Sequence, residues 1–212
     1  YPNSLDEQVV LEVLSNKNNP DFPDLAVVVA DASNLKRNLL LFEQVNDLGI
    51  PSILALNMLD VANEVGITIN TPKLEKILGV PVLEVNAREG IGLEGLKLTI
   101  FKTLTDLKVH VNPEIVGEEY QELATEIKDK FGLKTKYAAM QFLGQNAKLS
   151  FLSTEDVDYL LQKSKEINFD GDKFQADEVI ERYKDIDTSL DKVVEVEHEK
   201  HDVLTLSQKI DN

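Results

Sequence analysis

Two short polar segments, each following a predicted strand, carry residue types suited to binding a heterocyclic base. The first is Asn57-Met58-Leu59-Asp60, which has the spacing N-x-x-D and comes directly after the apolar run 52–56. A carboxylate at Asp60 can accept two parallel hydrogen bonds from the N1–H and N2–H2 edge of guanine, whereas adenine presents an acceptor at N1. We expect Asn57 to tie this loop to its neighbours and to reach the base. Asn and Asp are also common in ordinary turns at strand ends, so the tetrapeptide alone leaves both interpretations open.

The second segment is Asn86-Ala87-Arg88, which follows the predicted strand 80–85. A backbone N–H of this segment can meet the O6 atom of guanine and complete a base pocket. Because ligands of open parallel sheets sit at the carboxyl ends of the strands, the two segments are expected to lie together. The pair therefore favours guanine recognition more strongly than either segment alone. A third strand end carries Asp31, for which we favour a structural role over a magnesium ligand.

Strands and helices alternate in the first half of the chain. Apolar runs at 25–30 and 52–56 predict two buried strands, the first of them covered on both faces, and residues 80–85 predict a third strand. Helical spacing of apolar residues follows each run, and Thr71-Pro72 has the residues of a helix start, with Thr71 as the N-cap. This order predicts a parallel sheet with right-handed crossover helices, an α/β fold.

The second half contains no convincing strand and is predicted to be helical. Amphipathic stretches predict helices over about 112–131 and 137–143, a third that begins at Ser153 or Thr154, and a fourth over about 174–190. The predicted fold class is therefore α/β followed by all-α. We divide the chain into residues 1–107, a helical domain at 108–195 and a linker at 196–212.

Composition narrows the classes of function. The chain has 212 residues, a formal net charge of −16 and no cysteine. Such a negative field argues against binding to nucleic acid or an anionic membrane surface. The absence of cysteine excludes disulfides, thiolate catalysis and zinc sites built on sulfur.

Several motifs together resemble one family, the bacterial ferrous iron transporters called FeoB. The first half is similar to the later part of the GTPase domain of that family. The resemblance rests on the segments Tyr1-Pro2-Asn3-Ser4-Leu5-Asp6-Glu7, D-A-x-N-L-x-R-N-L at 31–39, Leu48-Gly49-Ile50-Pro51, Leu56-Asn57-Met58-Leu59-Asp60 and Leu78-Gly79-Val80-Pro81-Val82. The second half is similar to the helical guanine dissociation inhibitor domain of the family, with Arg182-Tyr183 near its end. Residues 205–211 resemble the junction before the first membrane helix.

The resemblance implies a GTP-hydrolysing regulator of Fe²⁺ uptake at the cytoplasmic face of the bacterial inner membrane. Its partners would be guanine nucleotide and the membrane domain of the same parent chain. We expect no nucleic-acid partner, and we leave open whether the chain forms a homo-oligomer. No G-x-x-x-x-G-K-[ST] motif occurs in the sequence, so the P-loop and the Mg²⁺ ligands of the intact parent are expected outside this segment. We therefore expect this chain alone neither to hydrolyse GTP nor to bind it tightly. Where the family commonly has Ser-Ala, this chain has Asn86-Ala87.

Two further interpretations are kept. The chain can be a stand-alone interaction module with a degenerate nucleotide fold, or part of a different GTPase of the tRNA-modification or ribosome-assembly type. His198 and His201 stand three residues apart, a spacing that can place two metal ligands on one helical face. A charged tail is the simpler interpretation of these two residues.

Overall fold

A computed structural model describes residues 12–106 and 115–196 of the chain. The first half consists of strands and helices in alternation, and the second half is mostly helical. In chain order the elements are β1 (Ala26–Asp31), α1 (Leu35–Asp47), β2 (Ser52–Asn57), α2 (Leu59–Glu64), β3 (Ile67–Ile69), α3 (Thr71–Leu78), β4 (Val82–Glu84), α4 (Leu93–Thr105), α5 (Gln121–Phe131), α6 (Lys136–Gln145), α7 (Thr154–Glu166), α8 (Gly171–Val193) and β5 (Val194–Val196). This order confirms the predicted fold class.

Three strands of the first half form a parallel sheet in the order β1-β2-β4. Ala26 is paired with Ser52, and Leu54 with Val82. Residues 52–56 of β2 are all buried, because this strand has a neighbour on each side and is covered on both faces. The sheet therefore fixes the position of Asn57, the residue at which β2 ends.

The first strand differs from its prediction. The apolar run predicted a strand covered on both faces, but within residues 12–106 and 115–196 β1 lies at the edge of the sheet and 58% of Val29 is exposed. Helix α4 is also largely exposed to solvent. It contains no buried residue, and its side chains Leu98 and Phe101 are exposed. The prediction of full burial for β1 was wrong, since an apolar run does not reveal which elements will cover it.

Helix α3 begins as the sequence predicts, but with a different cap. The side chain of Asn70 accepts a hydrogen bond from the Lys73 N–H, so Asn70 rather than Thr71 is the N-cap. Thr71 is instead buried and donates its hydroxyl proton to Glu84 Oε1, at 2.6 Å. The cap therefore lies one residue earlier than the predicted position.

Helices α6, α7 and α8 are capped by side chains at their starts, whereas α5 has no side-chain cap. The side chain of Ser153 accepts from the Asp156 N–H and that of Thr135 from the Ala138 N–H. Helix α5 begins at Gln121, later than the predicted start near Asn112, which lies outside the described residues. Helix α8 is longer at both ends than its predicted range.

The prediction that the second half contains no strand was wrong. Strand β5 pairs antiparallel with β3, with Thr68 opposite Glu195. Each of these strands is only three residues long, too short for alternation of apolar and polar residues to identify it. The predicted domain boundary at 195/196 falls inside β5.

The two halves pack against each other along α1 and α8. Ile186 and Val193 of α8 belong to the apolar core of the first half, whereas Phe174 of the same helix belongs to the core of the second. Gly49, which follows α1 with a φ of +89°, lies so close to Lys134 that an added Cβ atom would meet the Lys134 Cβ at 2.6 Å. A glycine at this position thus permits both the left-handed turn and the close approach of the halves.

Among residues 12–106 and 115–196, no helix is both long enough and apolar enough to cross a bilayer.

Replacing Ile186 by Ala should destabilise the chain by about 2–4 kcal/mol, because it leaves a cavity in the core of the first half. Urea unfolding followed by circular dichroism measures the loss. Ile180→Ala on the same helix is the matched control, since 55% of Ile180 is exposed, and it should change stability by less than about 0.5 kcal/mol. Equal losses in the two variants would show that α8 does not dock in this way.

Candidate base-binding site

The carboxyl ends of the parallel strands bring the predicted polar segments to one edge of the sheet. Asp31 at the end of β1 is in register with Asn57 at the end of β2. Leu56 of β2 is paired with Glu84, the last residue of β4, and Val85 N–H donates to the Leu56 carbonyl at 2.8 Å. The segments beginning at Asn57 and Asn86 therefore start from adjacent strand ends.

A direct hydrogen bond joins the two predicted loops. Asn57 Oδ1 accepts from the Ala87 N–H at 3.2 Å, although the two residues are 30 positions apart in the chain. The expectation that Asn57 ties its loop to a neighbour is confirmed. A side-chain carbonyl at this position therefore holds the second loop beside the first.

The N-x-x-D loop turns sharply into helix α2. Met58 adopts the left-handed backbone conformation, with φ of 62° and ψ of 31°, and its carbonyl accepts from the Ala62 N–H. Leu59 packs against the core of the first half, so it anchors the loop. Asp60 follows in the first turn of α2 and is exposed, which leaves its carboxylate accessible from solvent.

The second loop is held by its own hydrogen bonds. The backbone N–H groups of Asn86 and Ile91 each donate to the carbonyl of the other residue, and Asn86 Oδ1 accepts from the Glu89 N–H at 3.1 Å. The Asn86 side chain is thus engaged within its own turn, whereas Ala87 and Arg88 are exposed. Gly92 ends the loop at a position where a side chain does not fit, because an added Cβ atom would lie 2.2 Å from the Glu84 carbonyl oxygen.

The third strand end is used for local structure. Asp31 Oδ1 accepts from the Ser33 N–H at 2.8 Å and from the Ser33 hydroxyl at 2.7 Å. These bonds cap the short 3₁₀ turn Ala32–Asn34. The geometry agrees with the structural role that we expected for Asp31.

Metal ligands do not cluster in the described parts of the chain: residues 12–106 and 115–196 contain no group of three or more His, Cys, Asp or Glu side chains arranged to hold an ion. His198 and His201 lie outside the described residues.

Sequence reasoning did not identify every residue that shapes the loops. Helix α2 was missed because it has only six residues, and with it the left-handed Met58. Gly92 was a signal that could have been used, since a glycine just before a helical stretch often marks a tight turn.

The Asn57→Ala substitution should free the second loop, because it removes the acceptor for the Ala87 N–H. A net hydrogen-bond contribution of about 0.5–1.5 kcal/mol predicts that hydrogen exchange at the Ala87 amide accelerates about two- to tenfold. Amide exchange followed by NMR measures the rate. Asn63→Ala, at an exposed position of α2, is the control and should leave this amide unchanged.

The sequence matches a known family over its first half. Residues 1–100 match the family model described as "Ferrous iron transport protein B". The Fe(2+) transporter FeoB of Escherichia coli (strain K12) is 42% identical over 113 residues, which span 53% of this chain and 14% of that protein. The transporter of the same name from Salmonella typhimurium is 44% identical over 97 residues, or 46% of this chain and 12% of the relative. The match thus spans only about one seventh of the length of these relatives.

Solved structures extend the similarity to nearly the whole chain. The cytosolic domain of L. pneumophila FeoB has a TM-score of 0.67 at 28% identity, covering 90% of this chain and 74% of that one. The mGMPPNP-bound NFeoB of S. thermophilus has a TM-score of 0.64 at 27% identity, covering 93% of this chain and 76% of the other. Both halves therefore have counterparts in the same cytosolic domains. Residues 1–100 thus match the ferrous iron transport protein B family, and nearly the whole chain is similar to solved cytosolic domains of FeoB proteins.

Proposed function

We propose that this chain carries the guanine-recognition loops and the helical regulatory domain of a GTP-dependent Fe²⁺ uptake transporter. The observation that carries the proposal is the hydrogen bond from the Ala87 N–H to Asn57, which unites both loops next to the exposed Asp60. The similar NFeoB of S. thermophilus was solved with mGMPPNP bound, which supports a nucleotide at the corresponding fold.

Each loop residue has a distinct part in the proposed site. Asp60 accepts hydrogen bonds from N1–H and N2–H2 of guanine, and this pair of donors is missing from adenine. Asn57 holds the second loop, whose backbone N–H groups supply a donor for O6. Met58 and Leu59 set the turn that places Asp60, while Ala87 and Arg88 form the exposed side of the second loop.

Phosphate binding and hydrolysis belong to other parts of the parent protein in this proposal. A P-loop lysine, backbone amides and Mg²⁺ provide most of the electrostatic stabilisation in GTPase sites, and this sequence has no P-loop motif. The exposed apolar side chains of β1 and α4 support this division, because they offer a surface that further elements of a GTPase domain can cover. When bound, Mg²⁺ would neutralise charge on the phosphates.

The helical second half would couple nucleotide state to a membrane domain of the same parent, at the cytoplasmic face of the inner membrane. Its last helix packs on the GTPase segment through Ile186 and Val193 and continues into β5. A change at the base loops can therefore reach the end of the helical domain as a rigid-body movement.

This chain by itself should bind GDP more weakly than micromolar and should not hydrolyse GTP, because the phosphates would lack their main partners. Isothermal titration with GDP and a phosphate-release assay measure the two properties. A dissociation constant of one micromolar or tighter would contradict the assignment of phosphate binding to other segments.

In a longer protein that includes the P-loop, Asp60→Ala should lower GDP affinity about a hundredfold or more, because two hydrogen bonds to a charged acceptor are lost. The preference for GTP over ATP should disappear with it. Glu64→Ala, an exposed acidic residue at the other end of α2, is the control and should leave both affinities unchanged. An unchanged preference for GTP in Asp60→Ala would show that the site is assigned to the wrong residue.

A further inference from the structure

A single buried arginine connects the two halves of the chain. Arg182 of α8 is completely buried, and its Nε donates to Glu178 Oε1 at 2.6 Å. Its Nη1 donates to Asp47 Oδ2 of α1 at 2.8 Å and lies 3.5 Å from Glu43 Oε2 of the same helix. One guanidinium therefore faces three carboxylates, two of them from the first half.

Two further polar side chains, one of them from a third helix, complete the cluster. Glu178 Oε1 also accepts from the Tyr137 hydroxyl of α6 at 3.0 Å and from Gln44 Nε2 of α1 at 3.2 Å. The Arg182 guanidinium stands 4.9 Å from the centre of the Tyr137 ring. Helices α1, α6 and α8 thus meet around the same charged group.

The charge of the cluster is unbalanced when every carboxylate is ionised. One positive and three negative charges leave a net charge of −2 in a site where only Glu43 is partly exposed, which is costly in free energy. The side chains of Asp47 and Glu178 are only 3% and 2% exposed and lie closest to the guanidinium. Glu43 is the weakest partner, at 3.5 Å and with 22% of its side chain exposed, so it is the carboxylate that can take up a proton most readily.

The protonation equilibrium of Glu43 agrees with this geometry. Burial raises the pKa of Glu43 to about 7, and the charge of Asp47 adds to that rise, while Arg182 opposes it. Asp185 of α8 also raises this pKa. Both protonation states of Glu43 are therefore populated at neutral pH.

We propose that Glu43 is a proton-binding site that controls how firmly α8 is held against α1. With Glu43 protonated, the cluster carries a net charge of −1, and the remaining carboxylates hold Arg182 without excess repulsion. When Glu43 loses its proton, a third carboxylate is ionised in the buried site and the docking of α8 weakens. The charged and titratable groups that face Glu43 or its partners are Arg182, Glu178 and Asp185 on α8, Asp47 on α1 and Tyr137 on α6.

The direction of the pH dependence follows from the raised pKa. In the unfolded chain the pKa of Glu43 is near its ordinary value of 4.5. Between about pH 4.5 and pH 7 the folded state therefore binds more protons than the unfolded state. The stabilising contribution of the proton is fully present below about pH 4.5 and is lost as pH rises through about 7. The proposal concerns the helix docking and does not depend on nucleotide binding.

Amide hydrogen exchange along α8 at pH 6 and pH 8 tests the proposal on the 212-residue chain. After correction for the intrinsic pH dependence of exchange, the opening equilibrium of α8 should increase about tenfold over this interval. The Glu43→Gln variant, which mimics the protonated state, should show no such increase. Glu181→Gln removes the same charge from the exposed face of α8 and should behave like the unchanged chain.

The same increase in Glu43→Gln as in the unchanged chain would overturn the proposal. A second measurement does not depend on the folding of any variant. Carbon-13 NMR of the Glu43 carboxyl group in the unchanged chain gives its titration midpoint directly. A midpoint near 7 supports the proposal, and a midpoint near the ordinary glutamate value overturns it.

Discussion

The buried charge of Arg182 is the constraint on which the arrangement of the two halves depends. A guanidinium without water must keep its carboxylate partners, because removing one partner of a buried ion pair typically costs about 3–5 kcal/mol. Glu178 comes from the same helix, but Asp47 and Glu43 come from α1. Helix α8 can therefore satisfy Arg182 only when it lies on α1, and in that position its later turns carry Ile186 and Val193 into the core of the first half.

The same docking reaches the base loops through the backbone. The chain passes from Asn57 through the short helix α2 into β3, and β3 is paired with β5, which directly follows α8. The Asn70 N–H also donates to the Val193 carbonyl at 2.8 Å. The segment after the N-x-x-D loop and the end of α8 therefore belong to one packed unit. This connection gives the helical half a physical route to the site where a base would bind.

The features that could be predicted from the sequence are those marked by residues close together in the chain. The loops at Asn57 and Asn86 were identified because polar residues directly after apolar runs mark strand ends, and parallel strands then bring those ends together. Strands β3 and β5 were missed because three residues give no periodic signal. The exposure of Val29 depends on which elements cover β1, which the run 25–30 does not specify. Arg182 was noted only in the family resemblance, since Glu178 and Arg182, four residues apart, have the pattern of an ordinary surface ion pair.

Guanine recognition requires the loops at Asn57–Asp60 and Asn86–Arg88 to form one site. NMR chemical-shift mapping with GDP and ADP, at millimolar concentration to offset weak binding, is the decisive measurement. We expect GDP to shift the backbone amides of both loops together, and ADP to shift neither. Equal shifts with the two nucleotides, or shifts confined to residues away from these loops, would contradict a shared guanine site.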